Sequence, residues 1–437
     1  MHFSPDSWDT TATVVSLTQL HHYMKNLFLV CCLFLLQTAV SQSIPLSDQA
    51  EISLFTIGKG AELYDSFGHT AIRVKDPENR IDAVYNYGGF DFDTPNFYLK
   101  FAQGKLLYTL SRNPNYQRFL ANYKAQNRSI TEQVLQLTPA QKQQVFNYLE
   151  ENYKPENRKY LYDFFYDNCA TRPNEVFQQS IGGSLEMSYA HQTPSLTHRQ
   201  LIHQYLDTNS WGSLGIDIAL GAVIDRPATP QEYLFLPDEV MQAFAKARLG
   251  DSQSLPAQQD SATANSPTTT LPLVKKTKKI YTPERPIDTR PPFLLSPLFI
   301  LGLLSVLLII KTYRDFKRKA AISGLDTAIM IVLGILGVLL LLLWFATDHT
   351  ATKWNYNLLW AFPFHLIAAV VVAKKNPPQW IYPYMKLTII LLVLLVLHWV
   401  IGTQRFAPTL IPILLALGMR YVFIIRRLKD IRDSTTS

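Results

Sequence analysis

Residues 66–74, SFGHTAIRV, place a histidine directly after a glycine and at the start of an alternating apolar and polar stretch. Alternation with a period of two is typical of a β-strand that buries one face. Similar patterns at 51–57 and 83–92 predict neighbouring strands, and helical patterns follow further along the chain. Residues 42–249 are therefore predicted to form an α+β domain in which His69 begins a strand.

Residues 293–437 differ from this first domain because Leu, Ile, Val and Ala dominate five stretches separated by short polar segments. Each stretch approaches the ~20 apolar residues that a helix needs to cross a bilayer, and the fourth is the shortest. Lys and Arg cluster after the first, third and fifth stretches, which assigns these segments to the cytoplasm. The predicted spans are 293–310, 327–345, 356–373, 387–401 and 409–425. The sequence thus predicts an all-α, five-helix transmembrane domain with a cytoplasmic C-terminus and the first domain outside.

An apolar run near the N-terminus predicts export of the first domain. Lys25 precedes the apolar residues 27–36, and small residues follow, as in a cleavable signal peptide. The run is shorter than a membrane span, although an uncleaved anchor is the alternative. Residues 1–41 are therefore interpreted as an N-terminal extension and signal peptide. Because Met24 begins a more typical signal, residues 1–23 are expected to carry no function.

Between the two domains, residues 250–292 are rich in Ser, Thr, Pro, Gln and Lys and contain few large apolar residues. Such a segment cannot bury a core, so it is predicted to be a disordered linker. The net charge of +7 raises the question of nucleic acid binding. The basic residues cluster beside the apolar stretches, however, where orientation in a bilayer explains them. Binding to nucleic acid is therefore not expected.

Cys169 is the only thiol that is left once a signal peptide containing Cys31 and Cys32 is removed. It lies in the segment YDNCATR, 166–172, at the predicted start of a helix. The N–H groups and the positive dipole end of a helix favour a thiolate, and an imidazole such as that of His69 can act as its base. His69 and Cys169 are therefore a candidate catalytic pair. The alternatives are a surface or core histidine and a buried cysteine that serves only packing.

Several phrases of the sequence resemble a known family of envelope enzymes. They are SFGHTAIRV at 66–74, YNYGGFDFD at 85–93, YDNCATR at 166–172, YLFLPDEV at 233–240 and DHTATKWNYNLLW at 348–360. Their order, with the appended membrane domain, resembles the bacterial lipoprotein N-acyltransferase family of Bacteroides type. A histidine that precedes the cysteine also resembles the circularly permuted papain-like domains of the NlpC and lecithin retinol acyltransferase group.

The resemblance implies a papain-like, permuted NlpC-like domain with Cys169 as nucleophile and His69 as general base. It implies a cysteine acyltransferase of the bacterial inner membrane, with its catalytic domain in the periplasm. The acyl donor would be a membrane phospholipid, and the acceptor would be the α-amine of the lipidated N-terminal cysteine of a diacylated lipoprotein. Transfer would proceed through a thioester on Cys169. No cofactor or metal is expected, because the sequence lacks Cys pairs, an HExxH motif and a glycine-rich phosphate loop.

Other polar residues near the pair or in the outer membrane loop are further candidates for the site. Asn86 on the next strand is the candidate for orienting the imidazole, with Tyr85 as the alternative. Arg172 could bind a lipid phosphate or form a salt bridge with Asp167, and the salt bridge is favoured. The candidate substrate-binding residues are Ser66, Tyr85, Arg172, His349, Asn355 and Asn357.

Two other functions are left open by the sequence. One is a papain-like peptidoglycan endopeptidase, because the same thiol and imidazole cleave amide bonds. Five spans with polar outer loops exceed what an anchor needs, which argues against a cell-wall hydrolase. The other is a noncatalytic envelope receptor or scaffold in which Cys169 is buried and unreactive.

Overall fold

The first domain is built on an antiparallel β-sheet with helices on both faces. The computed structural model describes residues 24–25, 44–189, 191–192, 195–250, 270–285 and 287–436. The strands in these ranges are β1 (Glu51–Ile57), β2 (His69–Asp76), β3 (Ile81–Gly89), β4 (Leu107–Asn113), β5 (Ile130–Leu135), β6 (Lys159–Leu161), β7 (Leu185–Glu186), β8 (Arg248–Leu249), β9 (Leu271–Pro272) and β10 (Val274–Tyr281). Seven strands form one sheet in the order β10-β5-β1-β2-β3-β4-β6, and β7, β8 and β9 form a second, smaller sheet. Apart from residues 24–25, the predicted extension and signal peptide lie outside the described residues.

The described part of the first domain also contains seven helices. They are α1 (Phe97–Ala102), α2 (Tyr116–Ala125), α3 (Pro139–Tyr153), α4 (Thr171–Ile181), α5 (His198–His203), α6 (Trp211–Ala219) and α7 (Pro237–Lys246). The helix α3 begins as its sequence predicts, because Thr138 and Gln141 form a reciprocal capping box and Pro139 occupies the first helical position. The predicted α+β class of the first domain is therefore confirmed.

Alternation along β1 and β2 decides which side chains reach each face of the sheet. Ile52 and Leu54 belong to the core that the sheet forms with α3, α4 and α7. Phe55 and Ala71 belong to a second cluster, which includes buried side chains of α2. Burial of one large apolar side chain stabilises a fold by ~1.5–3 kcal/mol, so both faces are firmly fixed. Because His69 has the parity of Ala71, its side chain points to the α2 face.

The predicted disordered linker is wrong for residues 271–281, which form β9 and β10. The strand β10 pairs with β5 at the edge of the large sheet, and Leu273 just before it is completely buried. The backbone N–H of Gln136 donates to the carbonyl of Leu273 at 2.7 Å. An edge strand needs pairing on one side only, and its lysines discourage association with other chains. The lysine-rich composition therefore belongs to an edge strand, and the first domain extends to residue 281.

The second domain is a bundle of helices. They are α8 (Pro297–Arg318), α9 (Gly324–Phe345), α10 (His365–Val371), α11 (Ile381–Ile401) and α12 (Ile411–Thr436). In the described part of the chain, α8, α9, α11 and α12 with its preceding turn are long and apolar enough to cross a membrane. Inside the bundle, the buried guanidinium of Arg420 pairs with Asp326 at 2.6 Å and with Asp315 at 2.7 Å, which joins α12 to α9 and α8. Pairing is what makes such buried charges tolerable.

The prediction of one continuous helix over 356–373 is wrong. This segment contains a 3-10 turn, Tyr356–Leu359, and the short helix α10. Pro363 lies between them and has no backbone N–H for a helical hydrogen bond. The backbone here also packs closely on α9, since a Cβ added to Gly337 would lie 2.1 Å from the carbonyl oxygen of Ala361. The break is thus fixed by a proline and by close packing on a neighbouring helix.

The two domains meet through buried amides of the loop that follows α9. Asn357 is fully buried, and its Nδ2 donates to the carbonyls of Asp217 and Ile218 at 3.0 and 3.1 Å. Asn355 donates to the carbonyl of Ile218 at 2.8 Å. At Gly221 the chains come so close that a Cβ would lie 1.8 Å from the carbonyl oxygen of Lys353. The loop after α9 is therefore hydrogen-bonded to and packed against the first domain. Residues from Leu46 onward form one compact unit.

Candidate active site

Cys169 lies in the turn just before α4, where its neighbour caps the helix. The Oδ1 atom of Asn168 accepts hydrogen bonds from the backbone N–H groups of Ala170 and Thr171 at 2.7 and 2.9 Å. Short polar side chains satisfy helix N-termini in this way. Pro173 stands in the first turn, where its missing N–H breaks no helical hydrogen bond. Cys169 is therefore held at the predicted helix start, immediately outside the helix.

His69 begins β2 and faces α2, where its ring stacks on Tyr123 with centroids 6.2 Å apart. The regular pairing of β2 with β3 starts at Ile72. Before that point the backbone N–H of Thr70 is directed at the thiol of Cys169. The start of β2 and the turn before α4 therefore meet.

Gly88 permits this close approach of β3 to the thiol. Its φ of 93° lies in the region that favours glycine. A Cβ at this position would lie 3.2 Å from the Cβ of Cys169. The pairing of β3 with β4 is also irregular between Asn86 and Gly89, as in a β-bulge. Any side chain at residue 88 would therefore strain the backbone and crowd the thiol.

Asn86 contacts the imidazole of His69. The distance between Nε2 of His69 and Oδ1 of Asn86 is 3.3 Å. An amide oxygen can only accept, so this contact requires the proton of the neutral ring to lie on Nε2. The Nδ1 atom then has a free lone pair for a proton. The contact thus favours the tautomer in which Nδ1 can serve as the base.

Cys169, His69 and Asn86 line one cavity of about 1050 Å³. Its wall is largely aromatic and aliphatic, and includes Phe67, Tyr87, Phe90, Tyr108, Phe119, Tyr162, Phe164, Ile216 and Leu220. Residues 349–352 of the membrane domain complete the wall. Ligand pockets in proteins are commonly apolar clefts of ~300–1,000 Å³ with a few polar groups. The cavity therefore has the size and lining for a large apolar ligand.

The surroundings keep both reactive groups neutral. Burial is the largest effect on each, and it lowers the pKa of His69 to about 4 and raises the pKa of Cys169 to about 11. The N–H of Thr70 and the positive charge of Arg128 oppose the second shift. Cys169 is partly exposed to the cavity, but apolar walls solvate a thiolate poorly. At neutral pH the cavity therefore holds a neutral thiol and a neutral imidazole.

Three of the predicted site residues near the pair do not line the cavity. Ser66 is buried and donates to the carbonyl of Glu62. Tyr85 follows the opposite parity to Asn86, points into the other core and donates to Glu150. Arg172 forms the favoured salt bridge with Asp167.

The three predicted residues of the outer membrane loop divide into two groups. His349 lines the cavity, and its Nε2 hydrogen-bonds to the carbonyl of Phe101 at 3.0 Å. Asn355 and Asn357 instead hold the domain junction described above and do not line the cavity. Burial makes both amides structural, because a buried polar group must be hydrogen-bonded.

Arg128 is a cavity residue that the sequence did not single out. It follows α2 in a turn, is 4% exposed and ion-pairs with Asp65 at 3.2 Å. Nothing in its local sequence distinguishes it from other basic residues near a helix end. Its contact with the cavity depends on pairing between segments that are distant in the chain.

These features define a membrane-anchored protein whose first domain presents a cysteine, a histidine and an asparagine to a cavity shared with a polytopic helical domain. Residues 40–204 match the family model of the Lnb N-terminal periplasmic domain, and residues 289–430 match that of the Lnb transmembrane domain. The chain therefore belongs to the Lnb family of lipoprotein N-acyltransferases, which confirms the resemblance noted above. Its N-terminal domain is periplasmic, and membership implies a part in lipoprotein N-acylation. No curated protein and no solved structure matches the chain.

Proposed function

We propose that this protein transfers an acyl chain from a membrane phospholipid to the α-amine of the lipidated N-terminal cysteine of lipoproteins, through a thioester on Cys169. The observation that carries the proposal is the convergence of Cys169, His69 and Asn86 on one apolar cavity that the membrane domain completes. A thiol with an adjacent base is the usual arrangement for covalent acyl transfer. An apolar cavity beside a bilayer suits a substrate with acyl chains.

The first half-reaction forms the acyl-enzyme. The Nδ1 atom of His69 accepts the thiol proton of Cys169 while the sulfur attacks an ester carbonyl of the phospholipid. The new carbon–sulfur bond replaces the ester carbon–oxygen bond. The imidazolium then returns the proton to the departing glycerol oxygen, and a lysophospholipid leaves. Asn86 stabilises the imidazolium by accepting from Nε2 throughout this step.

The second half-reaction is aminolysis of the thioester. The free amine of the lipoprotein attacks the thioester carbonyl, and a carbon–nitrogen bond replaces the carbon–sulfur bond. His69 takes a proton from the nitrogen and returns it to the sulfur of Cys169. The net change converts an ester and an amine into an alcohol and an amide, without a cofactor. Apolar walls around Cys169 favour the amine over water by limiting hydrolysis.

The position of the cavity supports lipid substrates. The helix α1 exposes Tyr98, Leu99 and Phe101 beside the loop that follows α9. Aromatic and aliphatic side chains at a membrane surface sit favourably at the level of the headgroups. Phe101 and His349 both line the cavity, so its rim adjoins this apolar surface. A lipid could therefore pass from the outer leaflet to Cys169 with little exposure to water.

We also propose that residues 361–380 form a third crossing of the membrane, between the four long helices. The ring of Tyr356 packs against His398 near the C-terminal end of α11, with centroids 4.3 Å apart. At the other end of α11, Arg432 lies over the ring of Tyr382 at 4.7 Å. The segment from Tyr356 to Tyr382 therefore runs from one end of α11 to the other. Five crossings suit the 5TMH designation of the family model and a cytoplasmic C-terminus.

The chain order of histidine before cysteine supports a papain-like, permuted NlpC-like relationship for the periplasmic domain. In such domains the cysteine begins a helix that packs on a sheet carrying the histidine. The turn before α4 and the first residue of β2 have these positions. We propose this relationship as the origin of the site.

The test uses the purified full-length protein with phospholipid and a diacylated lipopeptide that has a free α-amine. The peptide mass is expected to increase by one acyl group. Without acceptor, the protein itself should gain a hydroxylamine-sensitive acyl group on Cys169. Cys169→Ser and His69→Ala should each lower the rate by about 10³-fold or more, while His191→Ala, outside the cavity, should not.

Three outcomes would contradict the proposal. Release of fatty acid with unchanged peptide mass would indicate a phospholipase. Cleavage of muropeptides would indicate the endopeptidase, which shares the same thiol and imidazole. Failure of an alkylating reagent to modify Cys169 in folded protein would indicate a noncatalytic scaffold.

A further inference from the structure

Arg128 is held in the cavity by three contacts that leave one of its nitrogen atoms unused. Its Nε donates to the carbonyl of Gly58 at 2.9 Å, and its Nη1 donates to Asp65 at 3.2 Å and to Gln126 at 3.3 Å. Among the described residues, Nη2 has no hydrogen-bond partner although it is buried. A buried N–H group without an acceptor destabilises the state that contains it. A ligand that places an acceptor oxygen at Nη2 would therefore satisfy this donor.

The guanidinium is close to the reactive pair. Arg128 lines the same cavity as Cys169 and His69, and its positive charge lowers the pKa of both. It also lies over the ring of Tyr123 at 5.1 Å, and this ring stacks on His69. The ion pair with Asp65 uses only Nη1, so it fixes the direction of the guanidinium without occupying Nη2.

We infer that Arg128 forms an anion-binding subsite that holds the phosphodiester of the donor phospholipid through Nη2. The inference rests on the proposed function and names the part of the donor that the protein recognises. Arginine presents a planar donor fork that suits phosphate oxygens. In a phospholipid only the glycerol backbone separates the phosphate from the ester carbonyl. Binding of the phosphate at Arg128 therefore brings the ester to the thiol while the acyl chains occupy the apolar wall.

The first experiment measures the charge of the site without requiring acyl transfer. Full-length protein in detergent micelles is alkylated with iodoacetate, an anion, and with iodoacetamide, its neutral counterpart. Both reagents need the same thiolate of Cys169, so the ratio of their rates cancels changes in the thiol pKa. Arg128→Gln is expected to lower the iodoacetate to iodoacetamide ratio about tenfold, the order that one partly screened charge produces.

Matched variants keep this result interpretable. Arg112→Gln removes the same charge from β4 outside the cavity, where Arg112 pairs with Glu150, and should leave the ratio unchanged. Removal of Arg128 alone leaves the half-buried carboxylate of Asp65 without its partner, which can destabilise the fold. Arg128→Gln combined with Asp65→Asn removes both charges and should lower the ratio in the same direction.

The second experiment identifies the ligand. A short-chain dialkyl ether phosphatidylglycerol cannot acylate the thiol, so any protection of Cys169 from iodoacetamide reports binding alone. It should protect the wild type at least about tenfold better than the dialkylglycerol without phosphate, and Arg128→Gln should abolish that difference. Equal protection by inorganic phosphate would assign the site to free phosphate and overturn the lipid assignment.

The outcomes separate this inference from the proposed function. An unchanged alkylation ratio in folded Arg128→Gln and in the double variant would overturn the subsite. If lipopeptide acylation fails in the wild type but Arg128-dependent protection persists, the anion site stands while the proposed transfer falls. If the wild type acylates the lipopeptide and Arg128→Gln retains both its rate and its lipid protection, the transfer stands and the subsite falls.

Discussion

Asn86→Ala tests whether the amide beside His69 sets the protonation of the imidazole. The Oδ1 atom of Asn86 accepts from Nε2 of His69 at 3.3 Å, which leaves Nδ1 free to take the thiol proton of Cys169. Without this acceptor, the ring can rotate or exchange tautomers. The imidazolium formed during acylation would also lose a partly buried hydrogen bond. We therefore expect slower formation of the thioester with little change in lipid affinity.

The expected decrease in the acylation rate follows from the charge on the imidazolium and from the length of its hydrogen bond to Asn86. A hydrogen bond to a charged group contributes ~1.5–3 kcal/mol. The observed 3.3 Å is longer than the ~3.0 Å typical of such bonds, so the lower end of this range applies. Since ~1.36 kcal/mol corresponds to a tenfold change in rate, Asn86→Ala should slow acylation about 10- to 30-fold.

The assay is single-turnover acylation of Cys169, followed by intact mass with excess phospholipid and no acceptor. Asn147→Ala is the matched control, because Asn147 is exposed on α3, accepts from Gln143 there and does not line the cavity. Asn86→Asp provides a second check, since its negative charge should raise the pKa of His69 and increase thiol alkylation at pH 7. A folded Asn86→Ala protein that acylates within about twofold of the wild type would refute the assigned role of Asn86.

Three further perturbations test the electrostatics and the domain junction. Alkylation of Cys169 by iodoacetamide should rise about tenfold per pH unit from pH 7 to 10, because the pKa near 11 makes the thiolate scarce; a plateau from pH 6 would contradict this. Burial lowers the pKa of His198 to about 4 from 6.5, so the unfolded state gains its proton first and stability should fall as pH drops through that interval. In His198→Leu, the thermal midpoint should depend less on pH over this interval. Gly221→Ala should lower the thermal midpoint by several degrees and slow transfer, whereas Gly215→Ala, with nothing within 4 Å of the added methyl, should do neither.

Strong local patterns made much of the architecture predictable. Alternation in β1 and β2 identified both strands and placed His69 at the beginning of the second. The capped start of α3 also followed from Thr138 and Pro139. The long apolar helices were evident from composition, but Pro363 and the contacts with α9 interrupted the third predicted span. A hydropathy pattern measures apolar length and does not detect a break that neighbouring backbone stabilises.

The finer points of the site depended on information that no local pattern contains. The sequence placed Tyr85 and Asn86 side by side as candidates, and only the parity of β3 relative to the core directs Asn86 to His69. Asn357 was a candidate for headgroup binding because it is a polar residue in an outer membrane loop. Its side chain instead binds a carbonyl from a segment that is distant in the chain. Arg128 reaches the cavity through the same kind of nonlocal pairing. Long-range pairing decides such positions, and a single sequence does not record it.

The shared wall of the cavity has a consequence for how this protein can be rearranged. A hydrolase with a self-contained pocket can be moved to a new anchor by simple gene fusion. Here residues 349–352 supply part of the pocket from the membrane half, and Thr350 also bonds to Asp163 at 2.7 Å. Chimaeras between relatives should therefore function only when this loop and the periplasmic half come from the same parent. Recombination within the family is thus constrained at the loop instead of at the domain boundary.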